Sequence, residues 1–592
     1  MENRTVVVVG GGHAGVEAAL AAVRVGASAV LVTAEPSAIA VMPCNPAIGG
    51  VAKGCLVREI DALGGVMGLA ADYASLQFRM LNLSKGPAVW GPRVQADSGG
   101  YPGFVRSALT TAGVSIVEGM ARSLCGGSGR FTAVDLEDGR SIPGDAFVLA
   151  TGTYLGGVLF RGGERWPGGR AGGLSSVSLG RFLSGLFHVE RFKTGTSPRV
   201  VTRTVKTDAL EVQSAHTFPF RFSLESDSPV RNSMLCHLAR TNERTGRAIL
   251  ENLDRSPLYG KRIEGRGPRY CPSYETKVVK FPERHEHPVH LEPLSPESRL
   301  SYLNGLSTSM PQDVQYRMLR TIKGLENVEI ALFGYAVEYS RLAWGEFDMS
   351  LRLSGTENLF AAGQILGTSG YEEAAALGLL AGANAARTAM DQGCVVPDRE
   401  ESYLGVMVSD LVRKGIDEPY RLFSSRAENR LHLRQDNAHA RLEKLARDLG
   451  VLRGRRLSLV EDHLKQYKKA HELIRTAGLE SLCRRPEASP SDVMKKDSRI
   501  GGLNPECVET AFNDIKYDGY ISRHTRRRKA VREHWDLPLP EGFRDVGISI
   551  EARQAIETSR PETIREAALL PGVRASDLEV LTLLALKNRC ST

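Results

Sequence analysis

Short apolar runs alternate with glycine turns and helix-like segments through the first part of this chain. The β-branched run Thr5–Val9 leads into a glycine turn at 10–15, and an alanine-rich segment of helical character follows it. This order predicts a strand, a tight turn and a helix. Two later apolar runs, at 147–149 and 358–361, also end in turns of small residues. Such runs are typical of buried parallel strands, so the pattern predicts an α/β sheet.

The pattern changes twice further along the chain. Between about 201 and 267 the segments become short, polar and β-like, which predicts an insertion. Apolar strands then resume and continue to a predicted helix at 372–390. Past about residue 396 the apolar residues recur at i, i+3 and i+4 spacing, in predicted helices at Ala438–Leu449, 458–476, Ile550–Ser559 and 576–587. We therefore predict three units, which are a discontinuous α/β domain (1–200 and 268–395), an inserted domain (201–267) and a C-terminal helical domain (396–592).

The glycine turn has the spacing G-x-G-x-x-G between a predicted strand and a predicted helix, as dinucleotide binding requires. The first glycine allows the tight turn, the second lets a pyrophosphate approach the backbone, and the third lets the helix pack on the strand. Free N–H groups at the start of the helix would hold the phosphates. We take the whole turn as candidate cofactor contacts, with His13 in a structural role, and its residues are Gly10, Gly11, Gly12, His13, Ala14 and Gly15.

The glycine turn alone leaves both FAD and NAD open as the cofactor. An acidic residue usually ends the second strand of this fold and binds the ribose hydroxyls. Here Thr33 takes that place and Glu35 follows two residues later. The two later strand–turn segments favour FAD, because large flavoproteins return the chain to the flavin end in this way. The predicted fold class is therefore α/β, with a FAD-binding, two-dinucleotide-type (Rossmann-like) domain, an inserted β-rich region and a C-terminal all-helical domain.

Composition excludes several classes of protein. The 592 residues, of which 42% are hydrophobic and 24% charged, indicate a soluble protein of more than one domain. No apolar run approaches the ~20 residues that span a bilayer, so we predict no membrane association. The first strand begins at once, so we expect no leader peptide and a cytoplasmic location. The nine cysteines include no C-x-x-C pair, so we predict neither a metal site nor a dithiol redox pair.

The net charge of +8 matters chiefly through one cationic run near the C-terminus. Dense positive charge favours a phosphate backbone as a partner. The alternative interpretation of such a run is a solvated helix face. The candidate nucleic-acid contacts in this run are Arg523, Arg526, Arg527, Arg528 and Lys529.

Long motifs along the chain resemble one protein family. Examples are Pro-Cys-Asn-Pro-Ala-Ile-Gly-Gly at 43–50 and Lys-Tyr-Asp-Gly-Tyr-Ile at 516–521. Further matching motifs lie at 53–54, 58–65, 77–79, 85–89, 193–196, 267–273, 370–376, 418–421 and 425–428. In this order they are similar to the FAD subunit of the tRNA wobble-uridine 5-carboxymethylaminomethyl modification enzyme, the MnmG/GidA family. The resemblance covers nearly the whole chain.

The resemblance implies a specific activity with several partners. In it, reduced FAD takes a one-carbon unit from methylenetetrahydrofolate and passes it to C5 of the wobble uridine of tRNA. Glycine or ammonia completes the side chain, and NADH reduces the flavin. A partner GTPase of the MnmE type is required, in a heterotetramer, and the chain itself is expected to form a homodimer. The helical C-terminal domain is expected to bind tRNA and the GTPase.

The resemblance also implies individual site residues. Cys44 and Cys271 lie in proline-flanked loops like those that hold the family's two proposed catalytic cysteines, and a thiolate is well suited to add to a pyrimidine ring. Lys53 and Arg269 are the local cations that could lower a thiol pKa. The family's flavin contacts map to Ala121, Ser176 and Gln364. Its NAD-contact segment maps to 267–281, with Gly267, Arg269, Tyr270 and Phe281 as candidate contacts.

Several residues depart from what the family commonly has at their positions, and they leave two alternatives open. These residues are Trp90, Thr276, Ser340, Leu366 and Leu377. One alternative is an NADH-dependent flavin oxidoreductase that acts on a small molecule, although this would leave the basic helical domain without a use. The other is a non-catalytic tRNA-binding scaffold, since some of the departures remove charge or hydrogen-bonding groups near the expected site.

Overall fold

The computed structural model of the protein describes residues 4–216, 220–227, 229–269, 272–570 and 572–590, without the side chains of 527, 528, 530–532, 575 and 590. Its strands are β1 Thr5–Val9, β2 Ser28–Thr33, β3 Ala47–Gly49, β4 Ser75–Leu81, β5 Gly91–Ala96, β6 Ser115–Glu118, β7 Ala121–Gly127, β8 Arg130–Leu136, β9 Ser141–Pro143, β10 Ala146–Leu149, β11 Val158–Arg161, β12 Glu164–Pro167, β13 Val189–Thr196, β14 Arg199–Val201, β15 Glu211–Gln213, β16 Cys236–Arg240, β17 Pro288–Pro293, β18 Leu300–Asn304, β19 Ile330–Leu332, β20 Tyr335–Leu342 and β21 Leu359–Ala361.

The α-helices are α1 His13–Val25, α2 Lys53–Ala62, α3 Met67–Tyr73, α4 Gly100–Thr111, α5 Val177–Ser184, α6 Glu243–Leu250, α7 Tyr274–Lys280, α8 Gln312–Leu319, α9 Tyr371–Ala389, α10 Tyr403–Ser409, α11 Ala438–Leu449, α12 Gly454–Thr476, α13 Glu480–Cys483, α14 Pro490–Lys496, α15 Ser498–Gly501, α16 Pro505–Glu533, α17 Ile550–Ser559, α18 Ile564–Leu569 and α19 Ala575–Cys590.

A five-stranded parallel sheet, in the order β21-β10-β1-β2-β6, organises the first unit. Strand β1 lies in the middle, with Val7 beside Phe147 of β10 on one side and Val30 of β2 on the other. Because helices cover both faces of such a sheet, a central strand is apolar throughout, which explains the β-branched run of β1. The predicted Rossmann-like α/β fold is confirmed, and both predicted return strands, β10 and β21, join this sheet.

Helices α1 and α9 pack closely against each other and against this sheet. A Cβ added at Gly378 of α9 would lie 2.0 Å from the carbonyl oxygen of Ala14, and one added at Gly382 would lie 2.1 Å from that of Ala18. The two backbones therefore approach more closely than any larger side chain permits. The alanine-rich composition of α1 and the small residues of α9 serve this contact.

A six-stranded antiparallel sheet, in the order β15-β16-β17-β18-β14-β19, forms the inserted unit, and α6, α7 and α8 contribute to its core. The predicted insertion, 201–267, supplies only β15, β16 and α6. The sheet also takes β14, just before that segment, and β17, β18 and β19 after it. The inserted sheet is larger than the predicted insertion because strands far apart in the chain pair with each other. Val200 of β14 pairs with Ser301 of β18, so later strands complete a sheet that the earlier segment begins.

Helices dominate the C-terminal part of the described chain, as predicted. The first of them belong to the main core, since α11 packs on α2 and Leu442 and Val460 are buried there. Two further apolar cores follow, one built between Ala470 and Ile515 and one between Ile548 and Leu581. In the part of the chain that the structure describes, no helix combines the length and the apolar character needed to cross a membrane.

Candidate functional site

A cavity of about 490 Å³ opens at the carboxyl ends of the parallel strands β1 and β10. This is where ligands bind in open α/β sheets. Its wall begins with the glycine turn after β1, passes the turn after β10 and the turn after β21, and continues to residues of the inserted sheet, which include Tyr302 and Asn304 of β18. The cavity is therefore shared between the first unit and the inserted unit.

The glycine turn is shaped by close backbone contacts. Gly10 has φ +114°, and a Cβ there would lie 2.3 Å from the carbonyl oxygen of Ala150. A Cβ on Gly15 would lie 1.7 Å from the carbonyl oxygen of Gly10, whereas one on Gly12 would meet no atom within 4 Å. The first and third glycines are thus required by packing, and the second faces open space, as the approach of a pyrophosphate requires.

The start of α1 offers an anion site to this cavity. No side chain caps the helix, and Gly12, His13 and Ala14 all line the cavity. The N–H groups of a first helical turn have no partner within the helix and carry the positive end of the helix dipole. Together with the open space at Gly12, this geometry fits the pyrophosphate of a dinucleotide.

His13 is packed between aromatic rings. Its imidazole stacks on Tyr371 with ring centroids 4.6 Å apart, and Tyr101 lies 5.6 Å away. Burial lowers the pKa of His13 to about 4, so the ring is neutral at physiological pH. This environment supports the structural role predicted for His13.

An acidic group does reach the end of the cavity beside β2. Thr33 ends that strand as predicted, and Glu35, two residues later, lines the cavity. The carboxylate of Glu35 forms an ion pair of 2.5 Å with Arg170, which donates a second hydrogen bond to the hydroxyl of Tyr154. The carboxylate is therefore fixed in place at the cavity wall by a residue far along the chain.

The three residues mapped as flavin contacts come from distant parts of the chain to one wall. Ala121 begins β7, Ser176 precedes α5, and Gln364 follows β21. All three line the cavity, and the Ser176 hydroxyl donates to the carbonyl oxygen of Ala121 at 3.3 Å. Their roles in binding a cofactor stay a prediction.

Cys44 lies in the loop before β3, half-buried in the cavity wall. Its backbone N–H donates to the hydroxyl of Tyr371 at 2.8 Å, and its Sγ lies 3.1 Å from the hydroxyl of Tyr302. Sequence reasoning missed both tyrosines, because neither lies near Cys44 in the chain. The second candidate cysteine, Cys271, lies outside the described residues.

The cation proposed beside Cys44 has other partners. The ammonium of Lys53 lies 2.9 Å from Glu372 and 2.8 Å from Glu373, and all three side chains are nearly or fully buried. Although burial favours the neutral acid, Lys53 holds the pKa of Glu372 below its ordinary value. Two carboxylates thus surround the single positive charge. Arg269, the other cation proposed, lies on the surface near Glu418.

The segment mapped as the NAD contact borders the same cavity. Pro268, Pro272 and Lys277 line it. Gly267 lies against the end of the Lys193 side chain, and Phe281 is 56% exposed at the end of α7. Tyr270 is outside the described residues. The segment therefore lies at the mouth of the cavity, while contact with NAD stays a prediction.

The residues that depart from the family pattern are integrated into the fold. Leu366 and Leu377 lie fully buried in the main core. The hydroxyl of Ser340 accepts a hydrogen bond of 3.1 Å from Arg191, and the backbone N–H of Thr276 is capped at the start of α7. Each of these four residues therefore has a defined place in the structure.

The predicted cationic run lies on α16, outside the cavity. Arg523, Arg526 and Lys529 are exposed, and the guanidinium of Arg523 lies over the ring of Tyr520 at 4.9 Å. The side chains of Arg527 and Arg528 are outside the described part of the structure. An exposed helix face that combines cations with an aromatic ring suits a phosphate backbone and stacked bases.

A parallel sheet with a glycine turn at its carboxyl edge, and with later strands returning to that edge, defines a dinucleotide-binding α/β protein. Comparison with known proteins narrows this class. The chain belongs to the family described as glucose inhibited division protein A, whose family model matches residues 5–393. The predicted family is therefore confirmed.

Individual relatives cover nearly the whole chain. The tRNA uridine 5-carboxymethylaminomethyl modification enzyme MnmG of Rhodopirellula baltica is 41% identical over 98% of this chain and 93% of its own length. The enzyme of the same name from Myxococcus xanthus is also 41% identical, over 98% of this chain and 97% of its own. Among solved structures, one crystal form of Aquifex aeolicus GidA aligns with a TM-score of 0.85 and 38% identity, covering 98% of this chain and 100% of its own.

Proposed function

We propose that this protein is an FAD-dependent tRNA-modifying enzyme. It adds a carboxymethylaminomethyl group at C5 of the wobble uridine in the cytoplasm, together with an MnmE-type GTPase, and uses NADH and methylenetetrahydrofolate. One observation carries this proposal, which is that the thiol of Cys44 and the glycine turn line the same cavity. The names of the close relatives agree with this activity.

The residues present fit FAD along the length of the cavity. The pyrophosphate would lie at the open space beside Gly12, on the first turn of α1. Glu35, held by Arg170, would bind the ribose hydroxyls at one end. Gln364, in the turn after β21, would meet the flavin end. When bound and reduced by NADH, the FAD would supply a reduced flavin that transfers the one-carbon unit from methylenetetrahydrofolate.

The chain's own residues would position the uridine and activate it. Carbon–carbon bond formation at C5 is helped when a nucleophile adds to the neighbouring ring carbon, because the addition places electron density on C5. Cys44 offers its sulfur to the cavity for this step, and loss of the C5 proton to a base with departure of the thiolate afterwards restores the ring. The hydroxyls of Tyr302 and Tyr371 hold the loop of Cys44 by hydrogen bonds to the Sγ and the backbone N–H of that residue.

The larger partners would bind outside the cavity. A tRNA would place its phosphates on the exposed cations of α16, such as Arg523 and Arg526. The GTPase and a second copy of the chain complete the assembly that the family resemblance implies. The helical C-terminal region is the part of the chain we assign to the tRNA and the GTPase.

Absorption spectroscopy tests this proposal first. The purified protein should show a flavin spectrum that NADH bleaches, and addition of tRNA, methylenetetrahydrofolate, glycine and the GTPase should yield modified uridine. A flavin that NADH reduces without any tRNA modification would favour the small-molecule oxidoreductase instead. A colourless protein that FAD does not reconstitute, but that binds tRNA, would favour the scaffold.

A further inference from the structure

Two units of the fold meet at the sulfur of Cys44. Cys44 belongs to a loop of the first unit, whereas Tyr302 lies on β18 of the inserted sheet, 258 residues away. Their side chains approach to 3.1 Å between Sγ and the hydroxyl oxygen. This distance is short for a hydrogen bond that involves sulfur.

Once Cys44 is a thiolate it has no proton to give, so Tyr302 must be the donor in this hydrogen bond. A tyrosine hydroxyl has one proton to donate and lone pairs that accept. The backbone N–H of Ser197 already donates to the Tyr302 oxygen at 3.0 Å, which leaves the hydroxyl proton for another group. The nearby acceptors are Sγ of Cys44 at 3.1 Å and Oγ1 of Thr196 at 3.4 Å. The sulfur is the closer of the two, although it is the larger atom.

The tyrosine is held so that it keeps this proton. Tyr302 is 1% exposed, and burial, followed by the neighbouring Cys44, raises its pKa well above the ordinary value. The Arg199 guanidinium lies 5.3 Å from the centre of the ring and fixes its orientation. The phenol therefore remains a neutral donor at any pH at which the protein works.

We propose that Tyr302 is a positioning residue that donates a hydrogen bond to the thiolate of Cys44 and so raises the fraction of reactive thiolate. A hydrogen bond to an ion is stronger than one to a neutral group, so the contact favours the charged form of the sulfur. No proton leaves the phenol, and no bond other than the hydrogen bond forms. The inference rests on the proposed function only in taking Cys44 as the nucleophile.

Alkylation of Cys44 with iodoacetamide as a function of pH tests the contact itself. The reaction is followed by mass spectrometry of the peptide that carries Cys44, since only the thiolate reacts. In Tyr302→Phe the midpoint of the rate profile should rise by about one pH unit, which makes alkylation at pH 7 about tenfold slower. Exposed Cys125, in the same sample, should keep its profile.

Tyr403→Phe is the matched control, because Tyr403 is also 1% exposed but lies outside the cavity wall. It should leave the Cys44 profile unchanged, and the flavin spectrum should be present in both variants. An unchanged Cys44 profile in Tyr302→Phe would overturn the proposal. A shift of equal size in Tyr403→Phe would also overturn it, because the effect would then be a general one.

A second substitution retains the hydroxyl group. Replacement of Tyr302 alone by 3-fluorotyrosine makes the hydroxyl more acidic and thus a better donor, so the Cys44 midpoint should move to lower pH. A move to higher pH would contradict the proposed direction of the bond. If Cys44→Ser still modified tRNA, the role of Cys44 in the proposed function would fail, while the alkylation profiles would still decide whether Tyr302 tunes the thiol.

Discussion

Lys53 stabilises the main core through a buried cluster of charges, and its replacement gives the sharpest test of the structure. Its ammonium lies within 3 Å of Glu372 and Glu373, and the exposed fractions of the three side chains are 10%, 4% and 0%. Lys53→Met keeps most of the volume and removes the charge. Breaking a buried pair by removing one partner costs about 3–5 kcal/mol.

The loss should lie near the lower end of this range. Each carboxylate keeps a backbone donor, which is the N–H of Gly49 at 2.8 Å for Glu372 and the N–H of Leu422 at 3.0 Å for Glu373. Both acids also stand in the first turn of α9, where the helix dipole favours negative charge. We therefore expect the free energy of unfolding to fall by about 3 kcal/mol, measured by urea denaturation followed by circular dichroism.

The loss should depend on pH in a defined direction. In the wild type, Lys53 holds the pKa of Glu372 below its ordinary value of 4.5, so this stabilisation is present above that value and is lost as the pH falls through the lowered one. In Lys53→Met, burial is opposed only by the backbone donors and the helix dipole, so the pKa of Glu372 rises and protonation at lower pH relieves the buried charge. The difference between the two proteins should be large at about pH 8 and shrink toward pH 4.5.

Neutral partners provide the control for the charge. Adding Glu372→Gln and Glu373→Gln to Lys53→Met removes the two buried charges but retains the oxygens that accept from the backbone. This triple variant should recover much of the stability and lose the pH dependence. A loss below about 1 kcal/mol in Lys53→Met at pH 8, the size typical of an exposed ion pair, would refute the reasoning.

Three other substitutions address the cofactor, the tRNA and the chemistry. Gly15→Ala would place a Cβ 1.7 Å from the carbonyl oxygen of Gly10, so the purified protein should lose its flavin absorption, whereas Gly103→Ala, which meets open space, should keep it. Neutralising the three arginines at 526–528 should weaken tRNA binding and lower the slope of log affinity against log salt by about two to three; an unchanged slope would return the run to a solvated helix face. Cys271→Ser should keep bound flavin and lose tRNA modification, and wild-type activity would remove this cysteine from the mechanism.

Local pattern predicted the parts of the fold whose causes are local. Thr5–Val9 and the glycine turn were recognisable because strand, turn and helix each have a short-range signature. Helices such as Ala438–Leu449 were recognisable for the same reason. The limits of the inserted sheet were not, because the pairing of β14 with β18 depends on register between strands about a hundred residues apart. Strand pairing of this kind leaves no mark in either segment alone.

The same distinction applies to the candidate site. The motif around Cys44 identified the thiol, but the groups that surround it come from β18 and from the start of α9. Lys53 was the nearest cation in the sequence, yet its charge is directed to Glu372 and Glu373. The acid that we propose for the ribose shows the same effect, since Glu35 lies past the expected position and is held by Arg170. Sequence proximity thus identified candidates and did not identify their partners.

The position of the inserted sheet explains why the first unit is discontinuous. A parallel sheet with a glycine turn suffices to hold a dinucleotide, but its open carboxyl edge does not enclose a thiol. In this chain β18 brings Tyr302 against Cys44, and Asn304 and Ser307 line the same cavity. Along the chain, the strands of the sheet that contains β18 all lie between β13 and β20, which are neighbours in the four-stranded sheet β12-β11-β20-β13. The insertion is therefore anchored at both ends beside the cavity. The cavity therefore requires both units, and the thiol belongs to one while the group that we propose tunes it belongs to the other.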